Sequence, residues 1–241
     1  MCAFLFDVDD TIYDQMWPFR KAYDKHFKKH NNIPIEELFQ YSRKYSDEVF
    51  EQTESGDLPL REMHVYRITK AFEVYNIKIE KKEALNFQYT YEKLQKEIQL
   101  VPDVEKTFQY CKKNNIKIGI ITNGPELHQQ SKINQLGLSR WIPFENIFIS
   151  SREGVAKPDK KIFMIAEKKM NLNSKDTYFI GDSFANDIVG AKNAGWKSIW
   201  INRRNKKLPN NFIHPDYVIE KNDLLSNLIV ELYEENQSTH L

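Results

Sequence analysis

The chain has 241 residues, 41% hydrophobic and 29% charged, with 35 basic against 34 acidic side chains and two cysteines. That length fits one large domain or a core carrying a smaller one, and the charge balance gives no support to a nucleic-acid polymer or an anionic membrane as partner. No apolar stretch approaches a bilayer span, and the opening MCAFLF has neither a basic leader nor a cleavage-type ending, so a cytoplasmic protein is expected.

AFLFDV reads as a first strand, running straight into DVDDT at residues 7–11. Residues 14–100 show no strand-like run. They carry helical spacing instead, as in Phe19, Tyr23, Phe27 and in Leu38, Tyr41, Tyr45, Val49, with breaks at Pro34, at Gly56 to Pro59 and around Ile77 to Ile79. About four helices are expected there. Most of the aromatics should pack their core, with Tyr13, Trp17 and Phe19 as candidates to face a ligand.

From Val101 onward short apolar runs alternate with helical patterns. Strands are expected at IKIGIIT (116–122), NIFIS (146–150), TYFIGD (177–182), KSIWIN (197–202) and DYVIE (216–220). Helices are expected near 103–114, 125–136, 159–170, 185–194 and 223–235. Several strands are apolar on consecutive residues, which fits a sheet covered on both faces. The expected fold is therefore α/β. Residues 1–13 and 101–241 would form a doubly wound, Rossmann-like parallel sheet core, with an all-helical cap subdomain inserted at 14–100. Cys2 and Cys111 belong to no CxxC pattern and read as reduced structural thiols.

In an open α/β sheet ligands bind outside the carboxyl ends of the strands. Those ends carry Asp7, Asp9 and Thr11 after the first strand, Thr122, Asn123 and Gly124 after the strand at 116, and Gly181 and Asp182 after the strand at 177. Lys157 and Pro158 follow the strand at 146. Unpaired carboxylates at the end of a buried strand are costly. Asp7 and Asp182 together supply the oxygen ligands that a hard cation such as Mg²⁺ takes, and that cation would relieve the crowding. Asp7 and Asp9 lie two residues apart and in extended chain point the same way, so they can divide the roles of nucleophile and general acid/base. Lys157 and the Thr122 hydroxyl suit phosphoryl oxygens. NGP after Thr122 suggests a helix start with free backbone N–H groups, and KPD a second one. Asp187 is expected in the first turn of its helix, near Asp182, assisting a metal through water or satisfying helix-terminal donors.

DVDDT, ITNG, KPD and GDSFANDIVGAKNAG, in that order, resemble the four motifs of the haloacid dehalogenase-like (HAD) hydrolase superfamily, and the helical insertion after the first motif resembles its type C1 cap. The resemblance covers essentially the whole chain. It implies a phosphatase in which Asp7 attacks phosphorus to form an aspartyl phosphate, while Asp9 protonates the leaving oxygen and later activates water. It also implies Mg²⁺ held by the Asp7 carboxylate, the Asp9 carbonyl and the Asp182 carboxylate, with Asp187 as ligand or outer neighbour and Thr122 and Lys157 on the transferred group. The dehalogenase branch is similar in layout but has no acid at the position of Asp9 and no metal, so Asp9 and Asp182 favour phosphate chemistry.

EQTESGDLPLREMHVYRITKAF (51–72) and IGIITNGPELHQQSKINQLGL (118–138) look most similar to the group that includes bacterial 5′-nucleotidases and N-acylneuraminate-9-phosphatase. The substrate expected is a small phosphorylated metabolite, first a nucleoside monophosphate and then a sugar phosphate, acted on by a monomer or homodimer. A phosphomutase is the neighbouring alternative. A receiver-like signalling protein fits less well, because such a domain is about 120 residues long with no cap. Arg20, Arg61 and Arg67 are candidate substrate contacts in the cap. His26 and His30 have metal-pair spacing but lack an acidic partner, and read as a solvated helix face. RRNKK (203–207) reads as a solvated basic loop.

Overall fold

The computed structural model describes residues 2–30, 32–209 and 212–238. The chain divides into two compact units, one of Met1–Asp14 with Gln99–Leu241 and one of Gln15–Ile98. Each is described by itself.

The first unit is built on six parallel strands: β1 (Ala3–Phe6), β2 (Lys117–Thr122), β3 (Ile147–Ile149), β4 (Thr177–Gly181), β5 (Lys197–Ile201) and β6 (Tyr217–Ile219), in the order β3-β2-β1-β4-β5-β6. β1 lies at the centre, with Phe4 facing Ile118 on one side and Tyr178 on the other. Phe4, Leu5 and Phe6 are fully buried, so the consecutive apolar residues serve both faces of the sheet. On one face Leu5 joins Ile121, Phe148, Phe163, Phe179 and Trp196; on the other Phe6 meets the edge of Phe108 at 5.0 Å between ring centres. Each such fully buried side chain contributes about 1.5–3 kcal/mol.

The second unit holds α1 (Met16–His26), α2 (Ile35–Glu48), the short α3 (Phe50–Glu54), α4 (Leu60–Glu73) and α5 (Lys81–Leu94). Pro34 and Pro59 stand immediately before α2 and α4, and the Glu80 N–H ahead of α5 donates to Glu83 Oε2 at 3.0 Å. These are ordinary ways of starting a helix. Phe19, Phe27, Phe72 and Phe87 centre the core of this unit. His26 and His30 do not share a helix, because α1 ends at His26. His26 Nε2 lies 2.6 Å from Thr90 Oγ1 and His30 packs against the rings of Phe27 and Phe72. The expected solvated face is therefore a half-buried packing surface.

Crossover helices of the sheet unit are α6 (Pro102–Lys113), α7 (Glu126–Gln135), α8 (Ser150–Glu153), α9 (Lys160–Met170), α10 (Val189–Asn193) and α11 (Leu225–Ser238). The helix expected at 185–194 is instead a π-helical turn, Phe184–Ile188, running into α10. Single π-turns of this kind concentrate at functional sites. Two glycines permit close approach here. A Cβ on Gly181 would fall 2.2 Å from Asp187 Oδ2, and one on Gly190 would fall 2.7 Å from the Phe163 ring.

Candidate active site

The strand order reverses beside β1, with β2 and β3 on one side and β4 to β6 on the other, so the crevice at the carboxyl ends of β2, β1 and β4 is the natural ligand position. Asp7 extends β1 by one ladder bond, its N–H donating to Ile180 O at 2.9 Å. Its carboxylate accepts from Lys157 Nζ at 2.7 Å and from Thr11 Oγ1 at 3.4 Å. The same ammonium lies 2.7 Å from Asp187 Oδ1 and 4.9 Å from the centre of the Phe179 ring. Lys157 is held in turn by Asn123, whose side chain donates to Lys157 O at 2.8 Å and accepts from Lys157 N at 2.9 Å. Both ends of the Asn123 amide are engaged in positioning the lysine.

Asp187 reaches this cluster because the π-turn folds it back over Gly181, where Ser183 N donates to its Oδ2 at 2.9 Å. Asp182, one residue past β4, accepts from Lys206 Nζ at 2.9 Å, and its carbonyl accepts from Trp200 Nε1 at 3.0 Å. Asp7, Asp182 and Asp187 each present a carboxylate oxygen within 4.8 Å of the others.

Burial pushes Asp7 up to about 6, against the opposing pull of Lys157. It pushes Asp182 up to about 6 against Lys206, and it raises Asp187 against Lys157. Burial also disfavours the Lys157 ammonium, yet Asp187 and Asp7 outweigh it and the lysine is raised. Two ammonium groups thus leave part of the cluster's negative charge uncompensated. An all-oxygen, acidic donor set with residual negative charge fits a hard divalent cation.

Asp9 occupies a different environment. Its carboxylate accepts from the Tyr13 hydroxyl in a short hydrogen bond, from Gln129 Nε2 at 2.9 Å, and from Lys132 Nζ at 2.7 and 2.8 Å to its two oxygens. Gln129 and Lys132 come from α7, whose buried face is Gln129, Lys132 and Ile133. Neither was singled out by the sequence reading. Of the aromatics considered as ligand-facing, Tyr13 is buried on Asp9. Phe19 packs against Phe39 and Phe87, and Trp17 is partly exposed.

The Thr122 hydroxyl, at the end of β2, is buried with no hydrogen-bond partner. Such orphaned groups are rare and mark a place where a ligand or water completes the bonding. Gly124 adopts a φ of 133°. Its N–H donates to Ser150 Oγ at 2.9 Å, so it does not stand free for an anion. Helices start directly after both motifs, as expected, with Pro125 preceding α7 and Asp159 capping α9.

The loop 203–207 departs from its sequence reading most clearly. Arg203 Nη1 donates to Thr11 O at 3.1 Å, Arg204 forks onto Asp10 and also reaches Asp14 Oδ1 at 3.0 Å, and Lys206 holds Asp182. A solvated loop was expected because basic runs usually are; here an acidic wall facing it gives the cations partners. With Asp10, Asp14, Asp182 and Lys221 these residues line a cavity of about 240 Å³.

Of the cap arginines, Arg20 lies 3.5 Å from Glu36 Oε1 in an exposed pair. Arg67 donates to Gln88 Oε1 at 2.9 Å and stands 5.7 Å from the centre of the Tyr91 ring. Arg61 borders a cavity of about 500 Å³ with Leu60, His64, Leu85, Gln88, Tyr89 and Glu92. Among the described residues no helix is long and apolar enough to cross a membrane.

A parallel α/β core with a lysine-bridged acid cluster and a second, separately held acid at its strand ends defines a hydrolase of the haloacid dehalogenase-like type. The family model for these hydrolases matches residues 1–195, and the chain belongs to that family. It is 39% identical over 116 residues to a glyceraldehyde 3-phosphate phosphatase of Pyrococcus furiosus, covering 48% of this chain and 45% of that protein. It is 40% identical over 98 residues to the pyrimidine 5′-nucleotidase YjjG of Escherichia coli, covering 40% and 43%. The chain thus spans about half the length of these curated relatives. A fuller match is the crystal structure of the HAD-hydrolase YfnB of Bacillus subtilis bound to magnesium, with a TM-score of 0.70, 25% identity, and coverage of 96% of this chain and 98% of that one.

Proposed function

We propose that the protein is a Mg²⁺-dependent phosphatase of small phosphomonoesters that works through an aspartyl phosphate on Asp7. The observation that carries this reading is the division between the two acids after β1. Asp7 shares its cluster with Asp182, Asp187 and Lys157, whereas Asp9 has its own set of donors.

A carboxylate oxygen of Asp7 attacks phosphorus while the bond to the ester oxygen breaks. Asp9 gives its proton to that oxygen, and the alcohol leaves. Asp9, now a carboxylate, takes a proton from water as the water attacks the phosphoryl group; inorganic phosphate departs and Asp7 is regenerated. Lys157 and the buried Thr122 hydroxyl are the groups suited to hold the phosphoryl oxygens. Asp7, Asp182 and Asp187, with the carbonyl of Asp9, are the residues that would hold Mg²⁺. When bound, the cation supplies positive charge that screens Asp7 from the incoming phosphate and orients the transferred group.

A nucleoside monophosphate is the first candidate substrate, followed by sugar phosphates, on the likeness to the nucleotidase and the sugar-phosphate phosphatase. Phosphate release from a panel of nucleotides, sugar phosphates and cofactor phosphates, with and without Mg²⁺ and beside Asp7→Asn, tests the reading. Release that needs both Mg²⁺ and Asp7 is expected. Transfer between sugar hydroxyls without free phosphate would make the protein a mutase.

A further inference from the structure

The buried lysine on α7 has no role in the chemistry above. Lys132 is 4% exposed and its ammonium contacts both oxygens of Asp9, at 2.7 and 2.8 Å. Burying an ammonium carries a large desolvation penalty unless a charge partner offsets it. Three residues earlier, and so on the same face of the helix, Gln129 is 3% exposed. Its amide nitrogen donates to Asp9 Oδ2 at 2.9 Å and to Asn123 O at 2.8 Å. Two acceptors fix the amide's orientation, and its Oε1 is buried without a partner. With the Tyr13 hydroxyl on Oδ1, donors from three side chains approach both oxygens of the Asp9 carboxylate.

We infer that Lys132, with Gln129, is a positioning device for Asp9: it fixes the carboxylate plane so that proton transfer to and from the reacting oxygen occurs from one preset orientation. The inference rests on the phosphatase reading and deepens it. Lys157 serves Asp7 and the phosphoryl group, whereas Lys132 serves the proton. The two buried lysines of the site therefore have separate duties. Lys132 also contacts the carboxylate at both oxygens, which restrains rotation about the bond to Cβ in a way that one hydrogen bond does not. Gln129 couples this restraint to Asn123, the residue that seats Lys157.

The test exploits what a leaving group needs. An alkyl phosphomonoester such as glycerol 3-phosphate must receive a proton as its P–O bond breaks, whereas p-nitrophenolate departs without one. The ratio kcat/KM reports steps only through the first irreversible one, here transfer to Asp7. Lys132→Met is expected to lower kcat/KM for glycerol 3-phosphate by on the order of ten-fold or more, within the range that acid catalysis spans. For p-nitrophenyl phosphate it should change less than about three-fold, by the same reasoning. In an Asp9→Asn background, Lys132→Met should add nothing further for either ester. Gln129→Met, an uncharged probe of the same face, should show the same selectivity in milder form, and it serves if Lys132→Met does not fold.

Equal losses on the two esters, or an added loss in the Asp9→Asn background, would show that Lys132 merely supports the structure and would overturn the inference while leaving the phosphatase reading intact. Wild-type protein that releases phosphate from neither ester would fail the phosphatase reading itself and take this inference with it.

Discussion

The Lys157 ammonium lies 2.7 Å from an oxygen of Asp7 and 2.7 Å from an oxygen of Asp187, bridging an acid at the end of β1 to one in the π-turn after β4. These residues are 150 and 30 positions away along the chain, by the numbering, and only the folded sheet brings them together. Removing the bridge leaves two buried acids facing each other.

Lys157→Met is therefore expected to destabilise the metal-free protein by about 3–5 kcal/mol, the usual consequence of stranding a buried charge. Urea denaturation in a chelator measures it. A change under about 1 kcal/mol would mean that the acids are protonated and need no counter-charge.

Asp7 and Asp182 are pushed up to about 6 by burial, from an ordinary 3.8. Between those values the native protein keeps protons that the unfolded chain has released, so stability falls as pH rises through the window. In a chelator, wild type should lose stability relative to Asp7→Asn as pH rises from about 4 to about 7. Mg²⁺ should restore it at the upper end. Thermal melts across that range would contradict this if wild type gained on the variant with rising pH.

Lys206 holds Asp182 Oδ2 at 2.9 Å, so a cation bound at Asp182 meets this ammonium as a like charge. Lys206→Ala is expected to tighten Mg²⁺ binding by roughly five-fold, about 1 kcal/mol at a partly exposed site. Calorimetric titration provides the measurement, and weaker binding in the variant would point to Lys206 as a necessary orienting partner of Asp182.

Gly181→Ala places a methyl group where Asp187 now sits, 2.2 Å from its Oδ2. The carboxylate must move, which should weaken Mg²⁺ binding by ten-fold or more, on the order of 1.4 kcal/mol, and lower stability by about 1–3 kcal/mol. Unchanged metal affinity would remove Asp187 from the ligand set.

Apolar runs such as IKIGIIT and TYFIGD marked the sheet within a residue or two, because a strand buried on both faces has to be continuously apolar. The acids and Lys157 were legible for the related reason that polar groups at such strand ends require a purpose. Gln129 and Lys132 were not. They form the inner face of α7, and a helix whose buried face is polar gives no hydrophobic period to follow. A more useful signal was the absence of that period in a helix starting directly after the Thr122 strand end. The loop at Arg203 to Lys206 was misread because its partners, Asp10, Asp14 and Asp182, are remote in sequence and their charges cancel its own in any overall count. Asp187 lies near Asp182 in the first turn of its helix, as expected, but that turn is π-helical, a form with no distinctive composition.

The central position of β1 also bears on how the chain is made. Its neighbours β2 and β4 begin at Lys117 and Thr177, and at about 5–20 residues per second of synthesis the first strand emerges several seconds before either partner. The helices of Gln15–Ile98, which form one compact unit, are synthesised well before the sheet has a second strand. On a growing chain the acid cluster cannot exist until Asp187 has left the ribosome. Truncated products that end earlier therefore carry Asp7 without the full set of Lys157, Asp182 and Asp187 beside it.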